Sequence, residues 1–172
     1  ITMLSELVLQ YGGIVNKVLG DGVFAIFRNS NHAQRAVNCA FAMLTEFEGL
    51  KENWNNESAT QLDFLDIGIG IATDNTIIGT VGNGKIQDFT AMGNAVNLAA
   101  AFEKEARGGR RILVDHFTYL EVKDMVSVIE GPFSYELRQP DQRSGNVYKQ
   151  YHLKQLAGAK ENTVFISYNQ GD

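Results

Sequence analysis

Residues 14–27 read Ile-Val-Asn-Lys-Val-Leu-Gly-Asp-Gly-Val-Phe-Ala-Ile-Phe. Two apolar runs flank Gly20-Asp21-Gly22. β-branched and aromatic residues on either side of a glycine-containing turn predict a β-hairpin. One acidic residue, Asp21, stands at its tip. A glycine on each side lets the backbone approach a ligand closely. Asp-Gly is also an ordinary turn dipeptide, so the hairpin alone assigns Asp21 no role.

Working outward, Met3, Leu4, Leu7, Val8 and Tyr11 have helical spacing, and Gly12-Gly13 ends that helix. After the hairpin, Asn29, Ser30 or Asn31 is expected to cap a helix over 32–50, with Ala33, Ala36, Val37, Ala40, Phe41, Leu44 and Phe47 on one face. His32 has no second His or Cys at ligand spacing and reads as a surface residue. Lys51–Thr60 is polar and is expected to be a loop carrying Trp54. Leu62–Thr73 reads as a strand in which Gly68 and Gly70 share a face, bare enough for a helix to pack tightly. A strand over 76–81, a loop over 82–88 and a short extended segment over 89–92 follow. Asn94 is the expected N-cap of a helix over 95–106. Then come a strand over 112–114, a short helix around 116–122, and strands near 134–137 and 147–153 joined by a turn over 139–145. This order predicts an α+β sandwich, a mixed sheet with helices on one face and right-handed crossovers.

The 172 residues suit one domain with a single core. A net charge of −5 argues against a nucleic-acid backbone as partner. One cysteine, Cys39, rules out an intrachain disulfide and suits a reducing, cytoplasmic setting; it reads as a small buried helix residue. No apolar run reaches the ~18 residues a membrane helix needs, and no signal peptide is visible.

Set beside the hairpin, the stretch 66–105 carries a recognisable pattern. Lys17-x-x-Gly20-Asp21, Gly68-Ile69-Gly70-Ile71, Ile78-Gly79-x-Val81-Gly82 and Asp88-Phe89-Thr90-x-x-Gly93-x-x-Val96-Asn97-Leu98-Ala99 occur in order. Together they resemble the class III adenylate/guanylate cyclase catalytic domain over about Leu4 to Leu153. The resemblance implies a ferredoxin-like β-α-β-β-α-β core with extra C-terminal strands. Family members have an upstream strand carrying a metal-binding aspartate in a motif like F-x-D-I-x-G-F-T. That motif is not in this chain, which is therefore expected to begin inside the domain, after the first strand.

By that resemblance, two aspartates share two Mg²⁺ or Mn²⁺ ions. Asp21 matches the second, and the first falls in the upstream strand. One carboxylate alone is a poor cage for such an ion. Lys17 and Thr90 match the positions that read the base. A lysine donates only and a threonine offers a hydroxyl, which suits adenine N1 and N6; a guanine site carries Glu and Cys there. Asn97 matches the asparagine that orients the ribose. One helical turn on, the transition-state arginine of the family is replaced by Ala101, at i and i+4 with Asn97. Losing such a stabiliser costs about 3–4 kcal/mol. Arg107 and Arg110, at or beyond the helix end, are the nearby substitutes. Arg138 falls where the family often has a triphosphate-binding Lys or Arg, although its neighbour is Gln139 rather than Gly. The G-I-H-T-G turn of relatives appears as Gly70-Ile71-Ala72-Thr73-Asp74, another departure.

Two functional readings follow. One is a nucleotidyl cyclase making cyclic AMP and pyrophosphate from ATP, weakened at Ala101 and built as a homodimer whose active sites are shared between chains. The other is a catalytically degenerate cyclase-homology domain that senses nucleotide or pairs subunits. The cyclase-like domain is expected over 1–153, and 154–172 is expected to be a linker and the start of a further segment. There Val164-Phe165-Ile166-Ser167-Tyr168 reads either as an extra edge strand or, by a short resemblance, as the opening strand of a TIR domain.

Overall fold

A computed structural model describes residues 1–57, 61–62, 64–109, 111–138 and 145–158. The linker beyond 158 and the TIR-like segment lie outside the described residues, as does most of the turn expected over 139–145.

The elements follow the order α1 (Thr2–Gln10), β1 (Ile14–Leu19), β2 (Gly22–Ile26), α2 (His32–Glu57), β3 (Ile69–Ile71), β4 (Ile77–Asn83), β5 (Ile86–Met92), α3 (Asn94–Ala106), β6 (Ile112–Asp115), α4 (His116–Val122), β7 (Val126–Leu137) and β8 (Asn146–Leu156). The strands form three ladders. β1 and β2 pair as the expected hairpin, β4 and β5 pair as a second one, and a four-stranded sheet has the order β3-β6-β8-β7. β3 runs parallel to β6, whereas β8 is antiparallel to both β6 and β7. The fold is α+β, as expected.

Helices cover both faces of the four-stranded sheet, not one. The cause is the alternation along β6, whose Ile112, Leu113 and Val114 are all fully buried. Ile112 and Val114 join Ala33, Val37 and Ala40 of α2 and Val122 of α4 in one core. Leu113 points the other way, into Leu98, Phe102 and Ala106 of α3. A third cluster, around Leu7, Val8 and Cys39, fixes α1 to α2. Burial pushes the Cys39 thiol up to about 11, so it is a protonated core residue.

Gly68 and Gly70 allow α3 to lie against the sheet. A Cβ on Gly70 would sit 2.1 Å from the Ala99 carbonyl oxygen and 2.4 Å from the Glu103 nitrogen. One on Gly68 would sit 2.7 Å from the Arg107 nitrogen. The bare glycine face is therefore the seat of α3, as the spacing implied. At the other end, Gly93 turns β5 into α3 at φ 157°, a conformation that favours glycine. Asp115 closes β6. Its carboxylate accepts from Phe117 N, Thr118 N and Thr118 Oγ, capping α4, and from Thr73 N at 3.1 Å, tying down the end of β3.

Several boundaries differ from expectation. α2 continues to Glu57, where a loop was expected from Lys51. Residues 51–57 contain no Gly or Pro to break it; Lys51 is buried, and the polar side chains after it suit a solvent-facing end. Trp54 on that end is partly exposed. The strand expected over 62–73 pairs only at Ile69–Ile71. The loop expected over 82–88 is instead the tip of the β4–β5 hairpin, with Asn83↔Ile86 as its last pair around Gly84-Lys85. The Asn94 cap is displaced by one residue: Gly93 is the N-cap and supplies no side chain. β7 starts at Val126, well before Ser134, and β8 runs on to Leu156.

Candidate active site

The residues expected to read the base lie where β1 meets the β4–β5 ribbon. No ladder joins these two ribbons; side chains do. Asn16 Nδ2 donates to the Phe89 carbonyl at 2.8 Å. Lys17 Nζ forms an ion pair with Asp88 Oδ2. Consecutive residues of a regular strand point to opposite faces, so two neighbours reaching one partner needs an irregularity. The β1–β2 pairing has it: the register shifts between Val15 and Lys17, leaving Asn16 as the extra residue of a bulge. Asn16 Oδ1 is buried and accepts no hydrogen bond among the described residues.

Thr90 lies two residues from Asp88 on β5 and so shares its face, the face that meets Lys17. Its hydroxyl makes only a 3.5 Å contact with the Ala91 carbonyl. β5 runs through Gly93 directly into α3, which carries Asn97 and Ala101. The core face of α3 is Ala95, Leu98, Phe102 and Ala106. Asn97 is exposed and Ala101 half-buried on its opposite flank.

Asp21 is exposed at the tip of the β1–β2 hairpin. Arg107, which follows the last turn of α3, is close enough to feel the Asp21 charge. Glu103 binds Arg107 with both carboxylate oxygens, at 2.7 and 3.2 Å, and raises its pKa. The Asp21 charge adds a smaller push in the same direction. Arg110 lies outside the described residues. Arg138, just past β7, is exposed and paired with Glu136 at 2.9 Å. The Arg138 hydrogen bond, with a second from Gly145 N, holds the Glu136 carboxyl below its usual range.

The chemistry of the donors sets what Asp21 can hold. Among the described residues no group of three His, Cys, Asp or Glu side chains gathers as a metal site. Asp21 fits as one ligand of a shared ion, with its carboxylate open to solvent. His32 is about one-third exposed and lies 3.8 Å from Glu121. A small cavity of about 30 Å³ near Thr73, Asp74 and Asn94 involves none of the expected site residues.

Residues 1–155 match the family model described as the adenylate and guanylate cyclase catalytic domain. The chain belongs to this family. It is a nucleotidyl cyclase domain of class III, whose members generally use divalent metal ions. The chain is 36% identical over 108 residues to the terminal-differentiation-specific adenylate cyclase of Dictyostelium discoideum, covering 62% of this chain and 5% of that protein. It is 30% identical over 129 residues to adenylate cyclase 1 of Rhizobium meliloti, covering 72% of this chain and 19% of that protein. It therefore spans a small part of these relatives. Its cyclase fold superimposes on the adenylyl cyclase CyaB of P. aeruginosa with a TM-score of 0.74 and 26% identity, over 89% of this chain and 77% of that one. The guanylyl cyclase Cya2 shares the fold, with a TM-score of 0.73 and 20% identity, over 93% of this chain and 79% of that one.

Asp88 and Asn16, which make the contacts between the two ribbons, were not singled out from sequence. Asp88 stands inside the Asp88-Phe89-Thr90 motif, but nothing in the chain order indicates that it meets a residue 71 positions away. Among the described residues no helix is long and apolar enough to cross a membrane.

Proposed function

We propose that this cyclase domain converts ATP to cyclic AMP and pyrophosphate for intracellular signalling, in the cytoplasm. The ribose 3′-oxygen bonds to the α-phosphorus, the bond from that phosphorus to the β-phosphate bridge oxygen breaks, and the hydroxyl proton passes to solvent. The observation that carries the reading is the seam where Lys17, held by Asp88, shares a face with Thr90. Lys17 donates to adenine N1 and Thr90 accepts from the N6 amine. Asn97 orients the ribose, and Arg138, exposed and now paired with Glu136, is the candidate to bind the triphosphate. Two divalent ions, Mg²⁺ or Mn²⁺, supply activation of the ribose hydroxyl and neutralisation of the triphosphate, and Asp21 is the residue of this chain that would hold them. Adenylate cyclases of Dictyostelium, Rhizobium and Anabaena among the relatives support ATP over GTP.

Both ribbons flanking the seam carry large exposed apolar side chains: Val18 and Leu19 on β1, Ile77 and Val81 on β4, Phe89 and Met92 on β5. Such a surface around the site supports a homodimer, in which the partner's Asp21 end completes the site begun by Lys17, Thr90 and Asn97.

Ala101 favours a second reading, a degenerate domain that senses nucleotide or pairs subunits. Mass spectrometry of products from ATP and Mn²⁺, on the protein at its full native length, separates the two. Cyclic AMP from the native protein establishes the enzyme. Product from Ala101→Arg alone identifies a site disabled at that position. Product from neither favours the sensor or pairing module.

A further inference from the structure

Two dipeptides in the chain carry the chemistry for attack of the backbone on a side chain. They are Asp21-Gly22 and Asn83-Gly84, the one place where an asparagine precedes a glycine. In such a pair the glycine nitrogen can reach Cγ of the residue before it and close a five-membered ring. Glycine has no Cβ to hinder the approach and gives the backbone the freedom to make it. Both pairs are open to this reaction in the unfolded chain, and folding treats them differently.

Gly22 belongs to the closing pair of the first hairpin, Leu19↔Gly22, and the closing residues of a two-residue hairpin exchange their backbone hydrogen bonds. In the second hairpin the closing pair is Asn83↔Ile86, and Gly84 is the first residue of the turn, outside the ladder. Its nitrogen is therefore not held by a partner strand. Asn83 is exposed, and a Cβ built on Gly84 would meet nothing within 4 Å. Gly82, at φ 132°, frees the backbone on the other side. We propose that Asn83-Gly84 is a site of spontaneous deamidation in the folded protein. Gly84 N loses its proton and bonds to Asn83 Cγ, the Cγ–Nδ2 bond breaks, and ammonia leaves with a proton taken from water. Water then adds to one of the two carbonyls of the succinimide. One opening gives aspartate; the other gives isoaspartate, whose main chain runs through the former side-chain carbon. One water enters, one ammonia leaves, and nothing is oxidised or reduced.

The product forms at the tip of the ribbon whose β5 strand carries Asp88 and Thr90. Each event adds one negative charge to a chain already at −5. The isoaspartyl form also adds one main-chain carbon between positions 83 and 84. The pairing of Asn83 with Ile86 does not keep its register across that insertion, so the ribbon opens from its tip. The free α-carboxylate of isoaspartate is the group that a carboxyl-methylating repair enzyme takes as substrate. None of this depends on which nucleotide the domain uses. The same rule spares Asp21, because the ladder that holds Gly22 keeps its nitrogen from the carboxyl carbon.

The test ages the protein at its full native length in mildly alkaline buffer, with and without concentrated urea. Peptides spanning Asn83 and Asp21 are then quantified by mass spectrometry, and isoaspartate is counted by an isoaspartyl methyltransferase with a labelled methyl donor. In native buffer Asn83 is expected to convert about tenfold faster than any other asparagine, and at a rate close to its own in urea. Isoaspartate at position 21 should accumulate in urea and form about tenfold more slowly in the folded protein. Gly84→Ala is tolerated, because Gly84 has no positive φ and open space around it. It should slow conversion of Asn83 about tenfold, since the attacking residue then carries a Cβ. Asn83→Gln, which would need a six-membered ring, should remove the signal from this peptide. An Asn83 that converts in urea but stays intact in the folded protein overturns the inference, as that outcome means the fold or a partner covers the tip. Conversion no faster than at other asparagines, or unaffected by Gly84→Ala, overturns it as well.

Discussion

Ala101 is the residue at which the proposed activity is expected to be weakest. It is half-buried and is not one of the core residues of α3 (Ala95, Leu98, Phe102 and Ala106), and a long arginine stem can carry its charged head to solvent on that flank, where Asn97 is exposed. Ala101→Arg is therefore expected to fold normally and to raise cyclic AMP formation about 100- to 1,000-fold, the usual worth of one transition-state donor. An unchanged rate would remove Ala101 as the cause of low turnover. His152 makes a different prediction. Burial, helped by the positive charges of Arg111 and Lys154, lowers its pKa. The fold thus favours the neutral ring, and the unfolded chain takes up a proton first. Stability linked to His152 is complete above the unfolded value of about 6.5 and is lost as pH falls from there through the lowered folded value. Urea unfolding at pH 7.5 and pH 5.5 should show a larger loss for the native protein than for His152→Gln. Equal losses would mean that the ring titrates alike in both states.

At the scale of elements, the glycine strand β3 and the helix α3 depend on each other. The Gly-x-Gly spacing was legible as a bare face, and the structure seats α3 on it. A Cβ at position 70 would press on the backbone of the helix and not on the tip of a flexible side chain. Gly70→Ala is expected to cost about 3 kcal/mol, at the upper end of overpacking effects, measured by urea unfolding. It should also weaken nucleotide binding, because α3 carries Asn97. A normal unfolding midpoint would show that the helix is free to shift. The elements that were misread failed for local reasons. Gly84 at the first position of the two-residue turn Gly84-Lys85 is a hairpin signal, but the β4–β5 ribbon is largely exposed and lacks the apolar alternation that marks a half-buried strand, so its end read as a loop. The polar end of α2 was misread likewise, since solvent-facing helix turns and loops share a composition.

At the scale of the whole molecule, the domain presents its two kinds of site residue at separate places. Asp21 stands exposed at the hairpin tip, whereas Lys17 and Thr90 lie at the seam. If one chain supplies the metal ligand and its partner the base pocket, two inactive variants should rescue each other. Asp21→Asn and Lys17→Met, each inactive alone, are expected to regain about a quarter of native cyclic AMP formation when mixed equally. Half the dimers are then mixed, each with one intact site of two. No rescue, or full activity in a strictly monomeric sedimentation fraction, would place the whole site in one chain.

Periodicity, turn chemistry and motif order in the chain sufficed for the α+β class, the first hairpin, the core faces of α2 and α3, the glycine seat and the cyclase family. These features are local, or depend on spacing that any chain of this pattern carries. The helix layers on both faces of the sheet, the bulge at Asn16 and the Lys17–Asp88 pair came only from the tertiary structure. Each joins residues far apart in the chain whose types are common on any surface. A lysine and an aspartate 71 positions apart have no local signal that they will meet. Only the docking of two separately formed ribbons brings them together.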